Sequence, residues 1–237
     1  MKKIFLVLNF IFFISCSGSS KKLLFPEKVS PDIYNVLFEN DDVKVLDVTF
    51  PPGKGDNMHD HNPMTFYVLS GGKGQVTLPD GSVNEREVPT GFVGHSRDKQ
   101  RHQVKNLGPD TLKLIIFEHK NLKSASASKE SLILPEEVSP EVYKVLLEND
   151  DVKVVEVVFE PGESDKMHQH GAMTFYGVKG GKLQSILPDG TVSSNQFPDG
   201  FTGHRNKITT HQMKNVGEEE VKVIIVEHKY LSLAESR

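Results

Sequence analysis

The sequence predicts an all-β protein made of two copies of one domain, and three observations carry that reading. Val29-Ser30-Pro31 recurs as Val138-Ser139-Pro140, an offset of 109 that holds without a gap from Val29–Leu122 to Val138–Leu231, with about half of the paired positions identical. Short segments alternate apolar and polar residues in period two and are bounded by Gly and Pro turns. Neither copy shows an apolar pattern of helical period and useful length. A chain of such strands must close or sandwich its sheets to bury one face.

The chain opens on Lys2 and Lys3, followed by an apolar run from Ile4 to Ile14 broken only by Asn9. Eleven residues are too few to span a bilayer as a helix, which takes about 20, but suit the core of a signal peptide. Ser15-Cys16 follows, and this small residue before Cys resembles a bacterial lipobox, although Phe13 stands where the usual pattern has Leu. The expectation is a signal peptide over 1–15 and a lipidated, Ser/Gly/Lys-rich tether over 16–23 that begins at Cys16. The first domain then covers 24–123, a linker of SASASKES composition 124–131, the second domain 132–231, and a tail 232–237. Localisation is expected at the bacterial cell envelope, with the membrane contacted through the lipid anchor. Cys16 is the sole cysteine, so no intramolecular disulfide forms.

Within each copy, Val43 to Phe50 and Val152 to Phe159 read as strands. Pro52-Gly53 and Pro161-Gly162 read as turns, and Leu78-Pro79-Asp80-Gly81 with Leu187-Pro188-Asp189-Gly190 as tight hairpins. Leu112 to Phe117 and Val221 to Val226 form a last strand. The formal net charge of −4 and the lack of a Lys/Arg cluster argue against nucleic acid as a partner.

All ten histidines fall into matched pairs: His59/His168, His61/His170, His95/His204, His102/His211 and His119/His228. If half of positions match by default, five of five occur by chance roughly once in thirty. Exposed-looking positions drifted meanwhile, as in Arg97 to Asn206 and Lys99 to Ile208. In a strand, residues two apart share a face, so His59 and His61 can converge on one inward point. His102, on a neighbouring antiparallel strand, is the natural third donor, and His168, His170 and His211 repeat the set. Three imidazoles leave positions open on a divalent metal, the mark of a reactive site.

These residues resemble the two motifs of the cupin superfamily. Gly53, His59, His61 and Gly72 match the first motif in spacing, as do Gly162, His168, His170 and Gly181; Gly91, His102 and Asn106 match the second, as do Gly200, His211 and Asn215. The resemblance implies two tandem double-stranded β-helix (jelly-roll) barrels, a bicupin. The internal Pro and Gly of the second motif are absent (Arg97 and Lys99; Asn206 and Ile208), and the family's Glu ligand is replaced by Thr65 and Thr174. The longer spacing places Phe66 and Phe175 there. A histidine-only site follows, in which the Thr hydroxyls orient bound water. His95 and His204 are candidates for a fourth ligand or a base beside the site, whereas His119 and His228 read as packing at the barrel rim.

The cofactor expected is a divalent metal, with iron, manganese, nickel, copper and zinc all open, and the partner a small-molecule ligand or substrate. A metal-dependent enzyme of oxidoreductase or dioxygenase type acting on a small oxygen-rich molecule leads. The alternative is a non-catalytic envelope lipoprotein that binds a metal or small ligand. Because histidine must be neutral to ligate and has an unperturbed pKa of about 6.5, metal release is expected between about pH 7.5 and 5.

Overall fold

The computed structural model describes residues 23–122 and 132–231. The expected signal segment, all but the last residue of the expected tether with Cys16, the whole expected linker and the tail lie outside the described residues. No helix among the described residues is long and apolar enough to cross a membrane.

The fold is all-β, as expected. In the first domain a single helical turn, α1 (Pro26–Val29), precedes β1 (Tyr34–Glu39), β2 (Val43–Phe50), β3 (His59–His61), β4 (Met64–Ser70), β5 (Gly72–Thr77), β6 (Val83–Val88), β7 (Val93–Ser96), β8 (Gln100–Asn106) and β9 (Leu112–His119). They form two antiparallel sheets, one in the order β1-β2-β9-β4-β7 and one in the order β3-β8-β5-β6. Two facing sheets of this kind make a jelly-roll barrel.

The second domain repeats it with α2 (Pro135–Val138), β10 (Tyr143–Glu148), β11 (Val152–Phe159), β12 (His168–His170), β13 (Met173–Lys179), β14 (Gly181–Ile186), β15 (Val192–Phe197), β16 (Thr202–Arg205), β17 (Thr209–Asn215) and β18 (Val221–His228). Its sheets run β10-β11-β18-β13-β16 and β12-β17-β14-β15.

Local chemistry accounts for the turns and corners. In the hairpin between β5 and β6, Gly81 takes φ +85°, which a side chain would oppose, and Asp80 accepts a hydrogen bond from the Ser82 amide. Asn106, the Asn of the second motif, is fully buried; its amide donates to the carbonyls of Phe50 and Asp110 and its oxygen accepts from Gly108. It therefore ties the end of β2 to the turn before β9, and Asn215 does the same in the second barrel.

The last strands are two residues longer than expected, because Glu118 and His119 continue the ladder opposite Lys44 and Val43. β2 also differs from a half-exposed strand, since both of its faces are buried. Leu46, Val48 and Phe50 pack inside the first barrel with Met64 and Ile116. Val45 faces the other way, into a cluster with Tyr67, Ile115 and Phe117 of its own barrel and Val152, Val154, Ile224 and Val226 of the second. The two five-stranded sheets thus share one core across the barrel junction. Each large side chain fully buried there contributes about 1.5–3 kcal/mol relative to exposure.

Candidate metal centres

β3 is three residues long and pairs antiparallel with β8 so that His59 lies directly opposite His102, while His61 lies opposite Gln100. Strand parity turns His59 and His61 to one side, and the cross-strand position brings the third ring to them. His102 stands 4.8 Å from His59 and 5.2 Å from His61 between ring centroids. One ring nitrogen from each of the three falls within 4.8 Å of the others. His168, His170 and His211 form the same cluster, with His168 opposite His211.

The tautomers follow from the partners. His59 Nδ1 lies 2.8 Å from the carbonyl oxygen of Asn57, which can only accept, so Nδ1 carries the proton and Nε2 is bare. His61 Nδ1 lies 2.7 Å from the Glu118 carboxylate, with the same consequence. The two bare Nε2 atoms then face each other at 2.9 Å. Two lone pairs at that distance repel unless a cation lies between them. Nitrogens held at right angles about 2.1 Å from one metal ion are about 3.0 Å apart, so the observed spacing fits a shared divalent ion. In the second barrel His168 faces the Lys166 carbonyl at 2.8 Å and His170 faces Glu227 at 2.9 Å, and their Nε2 atoms again stand 2.9 Å apart.

Further residues, outside the sequence motifs, hold the triads. Tyr34 donates its hydroxyl proton to Asp56 at 2.6 Å, leaving its oxygen 3.4 Å from His59 Nε2. Tyr143 donates to Asp165 at 2.7 Å and lies 3.3 Å from His168 Nε2. Burial raises Asp56 and Asp165 to about 6 and pushes both tyrosines well above their usual range. Glu118 is fully buried behind His61, with the Lys44 ammonium 3.9 Å from its second oxygen, where Asn62 also donates. In the second barrel Lys153 approaches Glu227 more closely, at 2.9 Å. Burial alone would raise Glu227, but the His170 hydrogen bond and the Lys153 charge outweigh it and hold the carboxyl below its usual range. A signal for most of them was present: Tyr34, Lys44, Asp56 and Glu118 each recur at the offset of 109, as the histidines do, whereas Asn62 becomes Gly171.

Thr65 and Thr174 are not beside the triads. Thr65 Oγ1 lies 3.0 Å from His95 Nδ1 and 2.8 Å from His119 Nε2, on the opposite face of β4, at the junction between the barrels. Phe66, one residue on, faces the cavity instead, as Phe175 does in the second copy. His95 is likewise at the junction, where its Nε2 meets Asp151 of the second barrel at 3.2 Å and Arg97 grips the same carboxylate. His204 pairs with Thr174 at 2.9 Å and stacks on Phe38 of the first barrel at 6.2 Å. Neither histidine takes part in a triad. His119 and His228 are not rim residues: they are buried and meet edge-on across the junction at 5.4 Å between ring centroids.

Above each triad lies a mostly apolar cavity, about 280 Å³ in the first barrel and about 310 Å³ in the second. Burial, followed by the charge of the neighbouring imidazoles, lowers His59 and His168 to about 4 and His102 and His211 to about 3. Protonation of these four donors is thereby disfavoured. The same burial has a consequence for the metal-free chain. His119, His204 and His228 are also lowered, so seven buried or half-buried histidines refuse protons that the unfolded chain binds below about pH 6.5. Stability therefore falls as pH drops through that range. The raised Asp56 and Asp165 act oppositely between about 6 and 4, but they are two against seven. Urea denaturation of the metal-free chain is expected to show a lower midpoint at pH 5 than at pH 7; an equal or higher midpoint contradicts this.

No family profile matches the chain, and no curated protein is significantly similar in sequence. Solved structures do match. The formate complex of Lactobacillus farciminis oxalate decarboxylase superimposes with a TM-score of 0.58 over 91% of this chain and 88% of its own, at 13% identity. Bacillus subtilis oxalate decarboxylase, a structure concerned with its Mn(II) centres, gives 0.55 over 91% and 79%, also at 13%. AerE from Microcystis aeruginosa gives 0.53 over 86% and 98%, at 12%. At such identities the likeness shows the fold: two tandem cupin barrels.

Proposed function

We propose that each barrel holds one divalent metal ion on its three histidines and that the chain is a metal-dependent enzyme acting on a small oxygen-rich organic molecule, with oxidoreductase chemistry the leading class. The observation that carries the metal assignment is the pair of bare Nε2 atoms 2.9 Å apart in both barrels, each with its Nδ1 tied to an acceptor. When bound, the ion supplies a positive centre that polarises a chelating oxygen. The chain's own groups orient and protonate around it. Glu118 and Glu227 fix ring orientation through His61 and His170, and their charge makes those rings better donors. Tyr34 with Asp56, and Tyr143 with Asp165, hold a proton beside the donor nitrogens. Among the open metals, manganese draws support from the Mn(II) centres named for the B. subtilis enzyme of the same fold.

A second reading is a non-catalytic metal- or ligand-binding lipoprotein. It is favoured by Phe66 and Phe175, which line the cavity where the family motif has a carboxylate. Elemental analysis of the native protein tests the metal assignment, with two ions per chain expected and less than one overturning it. Consumption of O₂ or substrate by that protein separates enzyme from binder.

We further propose that the mature chain is anchored to the cell envelope through lipidated Cys16. Cys16→Ser is expected to release the protein from the membrane fraction or leave it unprocessed. Unchanged lipid labelling and membrane association of that variant would sink the anchor.

A further inference from the structure

We propose, resting on the metal reading above, that each cavity receives an amphipathic chelator: a ligand with a two-oxygen metal-binding head and an apolar body of about ten non-hydrogen atoms. His61 and His102 of the triad line the cavity, as His170 and His211 do in the second barrel. Much of the rest of the wall in the first barrel is apolar, with Val48, Phe50, Phe66, Leu112, Leu114 and Ile116 outweighing the polar Ser96 and Gln100. An apolar cavity of about 150 Å³ accommodates benzene, so 280–310 Å³ exceeds what a chelating head alone would fill.

A small dianion such as oxalate fits this wall poorly. Chelating through one oxygen of each carboxylate, it would sit wholly at the metal end and leave the apolar wall uncovered. The guanidinium among the lining residues, Arg86, is exposed and lies over the Phe92 ring at 5.9 Å.

The second barrel supports the same conclusion independently. Its wall changed in shape while staying largely apolar: Gly74, Val88, Val104 and Leu114 correspond to Leu183, Phe197, Met213 and Val223, although Val76 becomes Ser185. The guanidinium moved instead, from Arg86 on β6 to Arg205 on β16, where it lies over Phe175 at 5.8 Å. At these four positions apolar character was retained where size was not, as a wall that contacts a hydrocarbon body requires. The two barrels prefer bodies of different shape.

The test uses two probes with one head, benzohydroxamate and acetohydroxamate, and oxalate as a third. Each is titrated calorimetrically into the full chain loaded with zinc, its metal content measured first. Benzohydroxamate is expected to bind at least about tenfold more tightly than acetohydroxamate, since only the former buries a ring. Val76→Asp, at a wall position whose counterpart is Ser185, is expected to abolish that preference at one of the two sites while leaving metal content and acetohydroxamate affinity unchanged. Leu114→Ser repeats the test should Val76→Asp not fold. Equal affinities for the two hydroxamates, or tighter binding of oxalate, in a chain that holds two metals would overturn the ligand class and leave the metal reading intact. A chain that takes up no zinc would overturn both.

Discussion

A His59→Ala/His61→Ala chain is expected to retain one metal ion where the unaltered chain retains two, and to remain folded. Each triad is complete within its own barrel, and the donor atoms of a set lie within 4.8 Å of one another, so no ligand is shared across the junction. The fold of the first barrel rests on the clusters around Phe50 and Leu46 and on the junction, not on the ion. Removing the two imidazoles also relieves the repulsion between their facing lone pairs, while leaving the Glu118 carboxylate with Asn62 and Lys44 as partners. His168→Ala/His170→Ala is expected to empty the other site instead. Elemental analysis with circular dichroism checks both. Loss of both metals from either double variant with a native spectrum contradicts independent sites, and no loss from either shows that the histidines are not ligands.

Phe117→Ala is expected to lower the unfolding free energy by about 3–5 kcal/mol, the range for deleting a large buried aromatic. For a chain of this size that corresponds to a fall of roughly 6–20 °C in melting temperature. Phe117 is fully buried and belongs to the cluster shared by both barrels, so neither barrel can close over the cavity alone. Its neighbours at the junction include the buried His119 and His228, whose rings meet edge-on there and leave little room for collapse. Differential scanning calorimetry of the metal-free chain reads the effect. A shift below about 2 °C would show that the junction carries little of the stability. The comparison is with Leu78→Ala, at an exposed hairpin position, which is expected to change the melting temperature little.

Much of this was legible in the residues alone. The offset of 109 announces the two domains, because a duplicated sequence folds twice into the same shape. The period-two segments and the Asp80-Gly81 and Asp189-Gly190 turns announce strands and hairpins, since alternation and positive φ are local properties. His59 and His61 were readable as a converging pair for the same reason: parity within one strand is a short-range fact.

Parity does not say which side of a sheet is the inside, and here both sides are buried. That is why Thr65 and His95 were assigned beside the metal site although they face the junction, and why Phe66 holds the cavity position. The burial of His119 and His228 came from the packing of one barrel on the other, a contact between sheets that no single strand encodes. The partners that hold the rings from other elements, Glu118 for His61 and Tyr34 with Asp56 beside His59, stand 57, 25 and 3 residues from the rings they serve. The strands carrying Tyr34 and Glu118 reach the site only through the closed barrel. Sequence by itself thus determined the copies, the strands and the identity of the donors. The tertiary structure decided which buried face each polar side chain serves, because that depends on what packs against the sheet from beyond its own strand.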